Sequence, residues 1–154
     1  MRLGMVVGIA VCWGLVSAPV FASGQSELLR ARGLIDFHKG RYPNAVALFE
    51  QAVQADHQDV YALYYRAMTY GRMGQFQVAA NDLRQVVQIR PDLGQAAFEL
   101  GVALLRTGEY GEAVQWLDRA QRAPGLEGQA CLYRGIAELR LGRIDKARSS
   151  FEQA

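Results

Sequence analysis

Side chains capable of nucleophilic or metal chemistry are few and scattered. The histidines are His38 and His57, and the cysteines are Cys12 and Cys131. A metal site needs ligands that reach one point, which on a helix means spacings of three or four. Neither histidine has such a partner. His57 directly follows Asp56, and adjacent helical side chains do not face one site. His38 is expected to end a helix, where a partly positive imidazole suits the helix dipole. The sequence has no Walker loop, no Gly-x-Gly-x-x-Gly, no Gly-x-Ser-x-Gly and no Cys-x-x-Cys. The chain is therefore expected not to be an enzyme and to need no cofactor or metal. Cys12 lies in the apolar start of the chain. Cys131 then remains as a lone thiol, unable to form an internal disulfide, and reads as a small buried residue.

The elements that position everything else repeat every 34 residues. Gly40, Gly74, Gly108 and Gly142 keep that interval. So do Tyr42, Phe76, Tyr110 and Ile144; Ala45, Ala79, Ala113 and Ala147; and Phe49, Leu83, Leu117 and Phe151. Ala52, Val86, Ala120 and Ala154 follow, and Gly33, Ala67, Gly101 and Gly135 stand upstream. Six columns in register across four units, with no insertion, are a repeat. Their chemistry describes a helical hairpin. The Gly40 column ends a first helix where the chain turns left-handed. Pro43 suits the first turn of the next helix, and Ala45, Phe49 and Ala52 make one apolar face on it. Small residues at Gly33 and Ala45 predict close helix approach. Pro91 and Pro124 stop second helices.

At these columns the sequence resembles the tetratricopeptide repeat family. Unit two reads Leu63, Arg66–Ala67, Tyr70, Ala79, Leu83 and Pro91, and unit three reads Ala97, Leu100–Gly101, Leu104, Ala113, Leu117 and Pro124. The resemblance spans 26–154 and predicts an all-α fold, an α-α superhelix of about four tandem helix-turn-helix units at 26–59, 60–93, 94–127 and 128–154. Arg32, Arg66 and Arg134 depart from the family's frequent Leu, and Asp36 and Glu138 from its Tyr. The spacing predicts Arg32–Asp36 and Arg134–Glu138 ion pairs at i, i+4. The last unit stops within its second helix, so the face of Ala147 and Phe151 is expected to be poorly covered, with fraying from Asp145 or self-association through that end.

The family lines its concave face with the first helix of each unit. Carried over, this implies an apolar stripe of Arg30 and Leu34, Tyr64 and Met68, Phe98 and Val102, Leu132 and Ile136. Tyr61, Tyr65 and Tyr133 flank it, and His38, Arg72, Arg106 and Arg140 form a parallel row. Such a groove suits an apolar helix or extended peptide, with the arginines pairing acidic groups at its edge. The Lys and Asn with which some family members clamp a C-terminal carboxylate are replaced by Arg30, Leu34, Tyr64, Tyr65 and Met68, so chaperone-tail binding is not expected.

Residues 1–22 read as an address. Arg2 precedes an uncharged apolar run to Val16, and Ser17–Ala18–Pro19–Val20–Phe21–Ala22 offers a signal-peptidase exit after Ala22. The expected product is an exported, periplasmic chain with no membrane span, its repeat domain covering 23–154. Beyond Ala22, 16 basic residues face 15 acidic ones, a balance that argues against nucleic-acid binding. The partner is expected to be a protein or peptide of a cell-envelope assembly. Alternatives are that the chain is the N-terminal scaffold of a larger exporter or secretion component, or an accessory subunit of an enzyme complex.

Overall fold

The computed structural model describes residues 18–154. Residues 1–17 of the expected leader lie outside that range, and Ala18–Ala22 form the first turns of α1. The described residues form eight helices and no strand: α1 (Ala18–His38), α2 (Tyr42–Ala55), α3 (Val60–Arg72), α4 (Phe76–Ile89), α5 (Gly94–Thr107), α6 (Tyr110–Ala120), α7 (Glu127–Arg140) and α8 (Ile144–Glu152). Consecutive helices pair as hairpins, α1 with α2 through α7 with α8. Each hairpin packs on the one before it, chiefly α3 on α2, α5 on α4 and α7 on α6. The result is an α-α superhelix of four units.

The turn column behaves as its chemistry requires. Gly40, Gly74, Gly108 and Gly142 have φ of 71°, 77°, 89° and 73°, a region that side chains with a Cβ avoid. Pro43 occupies the first turn of α2, where its missing N–H costs nothing.

Close helix approach is set by a second column. A Cβ on Gly33 would lie 2.6 Å from Phe49, and one on Gly101 would lie 2.6 Å from Leu117. Gly135 meets Phe151 in the same way. Phe49, Leu83 and Leu117 are buried, each contributing roughly 1.5–3 kcal/mol over an exposed position. Ala45, Ala79, Ala113 and Ala147 are buried one turn earlier on the same helix faces.

The expectation of a poorly covered face on the last helix is corrected at Ala147, whose methyl is enclosed in the α7–α8 hairpin, while Phe151 stays 38% exposed. The i, i+4 ion pairs are also corrected. Asp36 pairs with Arg41 at 2.6 Å, and Glu138 with Arg143 at 3.2 Å. The chain turns back at this point: the Arg41 and Arg143 N–H groups donate to the Asp36 and Glu138 carbonyls, both at 2.9 Å, which brings the i+5 side chain to the carboxylate. Arg134 instead donates to Ser150 of its own hairpin at 3.0 Å and, across the joint to the preceding unit, to Asp118 of α6 at 2.5 Å. Arg32 is exposed.

Candidate functional site

Successive first helices α3, α5 and α7 stand side by side along one face, and a concavity of about 320 Å³ opens among them. Met68, Gly71 and Arg72 of α3 form one wall. Phe98, Glu99 and Val102 of α5 form the other, Phe76 of α4 lies at one end, and Tyr133 of α7 closes the side. Heptad-like spacing explains the placement: Met68 and Arg72, and Phe98 and Val102, are i, i+4 pairs on the stripe that each first helix turns inward.

Five residues expected from the sequence therefore meet here: Met68, Arg72, Phe98, Val102 and Tyr133. Phe98 is buried and serves as floor, with the Tyr133 ring edge-on at 5.5 Å between centroids. Arg106 lies beside the site, its guanidinium 5.9 Å from the centre of the Phe76 ring. Tyr64 and Tyr65 form a flanking aromatic pair at 5.3 Å, and Tyr65 stacks on Phe49 at 6.1 Å, so part of its surface is spent on packing between units. Tyr61 lies elsewhere, in a shallow pocket with Arg30, Asp59 and Arg90. Leu132, Ile136 and Arg140 are outside the concavity on α7, Leu132 and Arg140 exposed and Ile136 half-buried.

Glu99 lines the concavity, and sequence reasoning passed it over. It occupies the column of Tyr65 and Tyr133, so the 34-residue interval already pointed to it. Burial pushes its carboxyl above the usual range, opposed by a 3.0 Å hydrogen bond from Gln95 and by the charge of Arg72. The Tyr64 hydroxyl is pushed up by burial and then by the nearby Glu99 charge. The site thus joins an apolar floor to one cation and one poorly solvated carboxylate. Among the described residues, no group of three or more His, Cys, Asp or Glu is arranged to hold a metal. Cys131 is buried, as its isolation implied.

Comparison with known proteins agrees with this architecture. Family models described as tetratricopeptide repeat match residues 64–127 and 128–153. The chain belongs to the tetratricopeptide repeat family. Among curated tetratricopeptide proteins it is similar to small glutamine-rich tetratricopeptide repeat-containing protein 2 of Mycosarcoma maydis. Identity is 30% over 91 residues, covering 59% of this chain and 26% of the relative. It is also similar to the heat-shock protein cognate co-chaperone sgt12 of Aspergillus fumigatus, 26% identical over 128 residues, covering 83% of this chain and 37% of that one. The chain thus spans well under half the length of these relatives.

Two solved tetratricopeptide structures show the same fold. MamA superposes with a TM-score of 0.80 at 23% identity, covering 84% of this chain and 70% of that one. The first tetratricopeptide domain of Spaghetti, solved with an HSP90 peptide, superposes with a TM-score of 0.71 at 22% identity, covering 78% and 98%.

Proposed function

We propose that this chain is an exported, non-catalytic scaffold that receives an apolar helix or extended peptide of a cell-envelope partner in its concave groove. The observation that carries the reading is the convergence of Met68, Phe76, Phe98 and Val102 on one concavity with Arg72 at its lip. Apolar walls with a few placed polar groups are the usual form of a peptide site. The Spaghetti domain, of the same fold, was solved with a peptide, which supports this use of the architecture.

Export is consistent with how the fold begins. Ser26 of α1 is buried, and its hydroxyl bonds the Asp59 carboxylate. Cleavage after Ala22 would remove the first turns of α1 and leave this anchor intact.

Two experiments test the reading. Affinity purification from envelope extracts should recover a discrete partner with the wild-type chain and lose it with Val102→Asp. Retention of the same partner by that variant would refute the groove as the binding site. Mass spectrometry of the purified chain should find Ser23 as the first residue. An intact Met1 in a soluble cytoplasmic fraction would refute export.

A further inference from the structure

Equivalent positions of the repeat are buried at each internal joint and open at the two ends of the stack. Phe49, Leu83 and Leu117 are 2% exposed or less, and the Tyr65 ring of the following unit lies over Phe49; Phe151, in the same column of unit four, is 38% exposed. The other end shows the converse. Ala62, Ala96 and Ala130 are 0% exposed on helices that pack against the preceding unit, whereas Leu28 in that column is 63% exposed. Thr69, Ala103 and Ala137 are 5% exposed or less, whereas Ile35 is 53% exposed. On α7, Leu132 and Leu139 are 45% and 48% exposed with half-buried Ile136 between them, an i, i+4, i+7 stripe on one helix face.

We infer that a second copy of this chain covers these faces head to tail, with α1 of one copy seated on α7 and α8 of the next, where a following unit would stack. The repeat interval selects a second copy, because Leu28 and Ile35 occupy the columns that units two to four use to cover the unit before them. The charges at the new joint are complementary in the same register. Arg84 bridges Glu109 at 2.8 Å and Glu112 at 2.9 Å across the joint between units two and three. One repeat on, Asp118 lines a shallow pocket with Arg143 and Lys146, while its ion pair is with Arg134 of α7 at 2.5 Å. One repeat further stands Glu152, and the same offset brings Arg41 and Asn44 of the second copy opposite it. At the joint between units one and two these positions hold Glu50, Gln75 and Val78 and no charge pair; from the second joint onward the signs are opposite, with acid and base exchanging sides between the second and third. Arg148 stands where Val46, Ala80 and Val114 stand, so the new joint is more polar than the internal ones and forms as concentration rises. Such a contact is heterologous, and unless its rotation closes a ring it continues into an open chain of copies. The inference does not rest on the groove reading.

Sedimentation velocity of the purified full chain over a concentration series tests it. The expected result is a ladder of species extending beyond the dimer. A head variant, Leu28→Asp with Ile35→Asp, and a tail variant, Leu132→Asp with Leu139→Asp, should each stay monomeric with unchanged far-ultraviolet circular dichroism. Mixed, they should stop at a one-to-one dimer, since each keeps one intact end. Arg41→Glu should weaken assembly and Glu152→Arg in the same chain should restore it, which carries the test if the aspartate variants lose helicity. A wild-type monomer at every concentration, a wild-type species that stops at the dimer, a mixture that stays monomeric, or no restoration by the charge swap would overturn the inference.

Discussion

Arg66 and Asp82 form a two-pronged ion pair across the second hairpin, Nε to Oδ2 and Nη2 to Oδ1, both at 2.8 Å. The carboxylate is buried and the guanidinium nearly so. Unit three carries Leu100 and Trp116 at the same two positions, so the hairpin tolerates either an ion pair or an apolar contact there. Taking two charges out of water offsets much of their attraction, whereas stranding one of them is costly. Asp82→Ala should therefore destabilise by about 2–4 kcal/mol, somewhat below the range for fully buried pairs because Arg66 keeps some solvent. Arg66→Leu with Asp82→Leu should regain most of that loss. Chemical denaturation of the three proteins measures it, and a double variant no more stable than Asp82→Ala would contradict the account.

Replacing the glycine at the α5–α6 crossing should cost more than replacing a glycine elsewhere, although unit two builds the same crossing with Ala67. Gly101→Ala places a methyl against Leu117 and should cost about 1–3 kcal/mol through overpacking. Gly111, near the start of α6, has nothing within 4 Å of a new Cβ and an ordinary φ. Gly111→Ala should be neutral or stabilise by up to about 1 kcal/mol through the unfolded chain. Thermal melts giving the two variants the same shift would mean that the crossing is misplaced.

Two carboxyl groups should give stability opposite dependences on pH. Burial alone would raise Asp59, but the Ser26 hydroxyl, the Ala62 N–H at 2.9 Å and the Arg30 guanidinium at 2.6 Å together hold it below its ordinary value. A depressed folded value means that its stabilisation is present above the unfolded value, near ~3.9, and is lost as pH falls toward the folded one. Glu99 is raised by burial, so its ionisation opposes folding and stability is lost as pH rises from the unfolded value, near ~4.3, through the folded one. Asp59→Asn should flatten the acid limb of a stability–pH profile and lower the plateau at neutral pH. Glu99→Gln should raise that plateau. A fall in neutral-pH stability on Glu99→Gln would show that the carboxylate is satisfied by Arg72 and Gln95.

The parts of this fold legible from sequence are those that recur within one helix or at one turn. The Gly40 column located each reversal, and the Ala45 and Phe49 columns located the faces that pack. Pairings between helices were misread because they depend on how two helices rotate about a turn. Asp36 was matched to Arg32 along its own helix, whereas the turn delivers Arg41 to it. A second regularity could have corrected such readings. Gly33 with Phe49, Gly101 with Leu117, Arg66 with Asp82 and Arg134 with Ser150 all meet at an offset of 16 residues, the register of the hairpin itself. Glu99 was passed over for another reason: a charge in an apolar stripe breaks the pattern that identified the stripe, although its column was already marked by Tyr65 and Tyr133.

Photo-crosslinking in the living cell most directly tests the central claim that the concave groove is the partner site. A photoreactive residue at Met68 or Val102 faces the concavity, and one at Gln85 is exposed on α4, away from it. The account predicts a discrete adduct of one mass from both groove positions, none from Gln85, and loss of the Met68 adduct when Arg72→Glu is added. An adduct from Gln85 with none from Met68 or Val102 would place the partner on the opposite face and contradict the account.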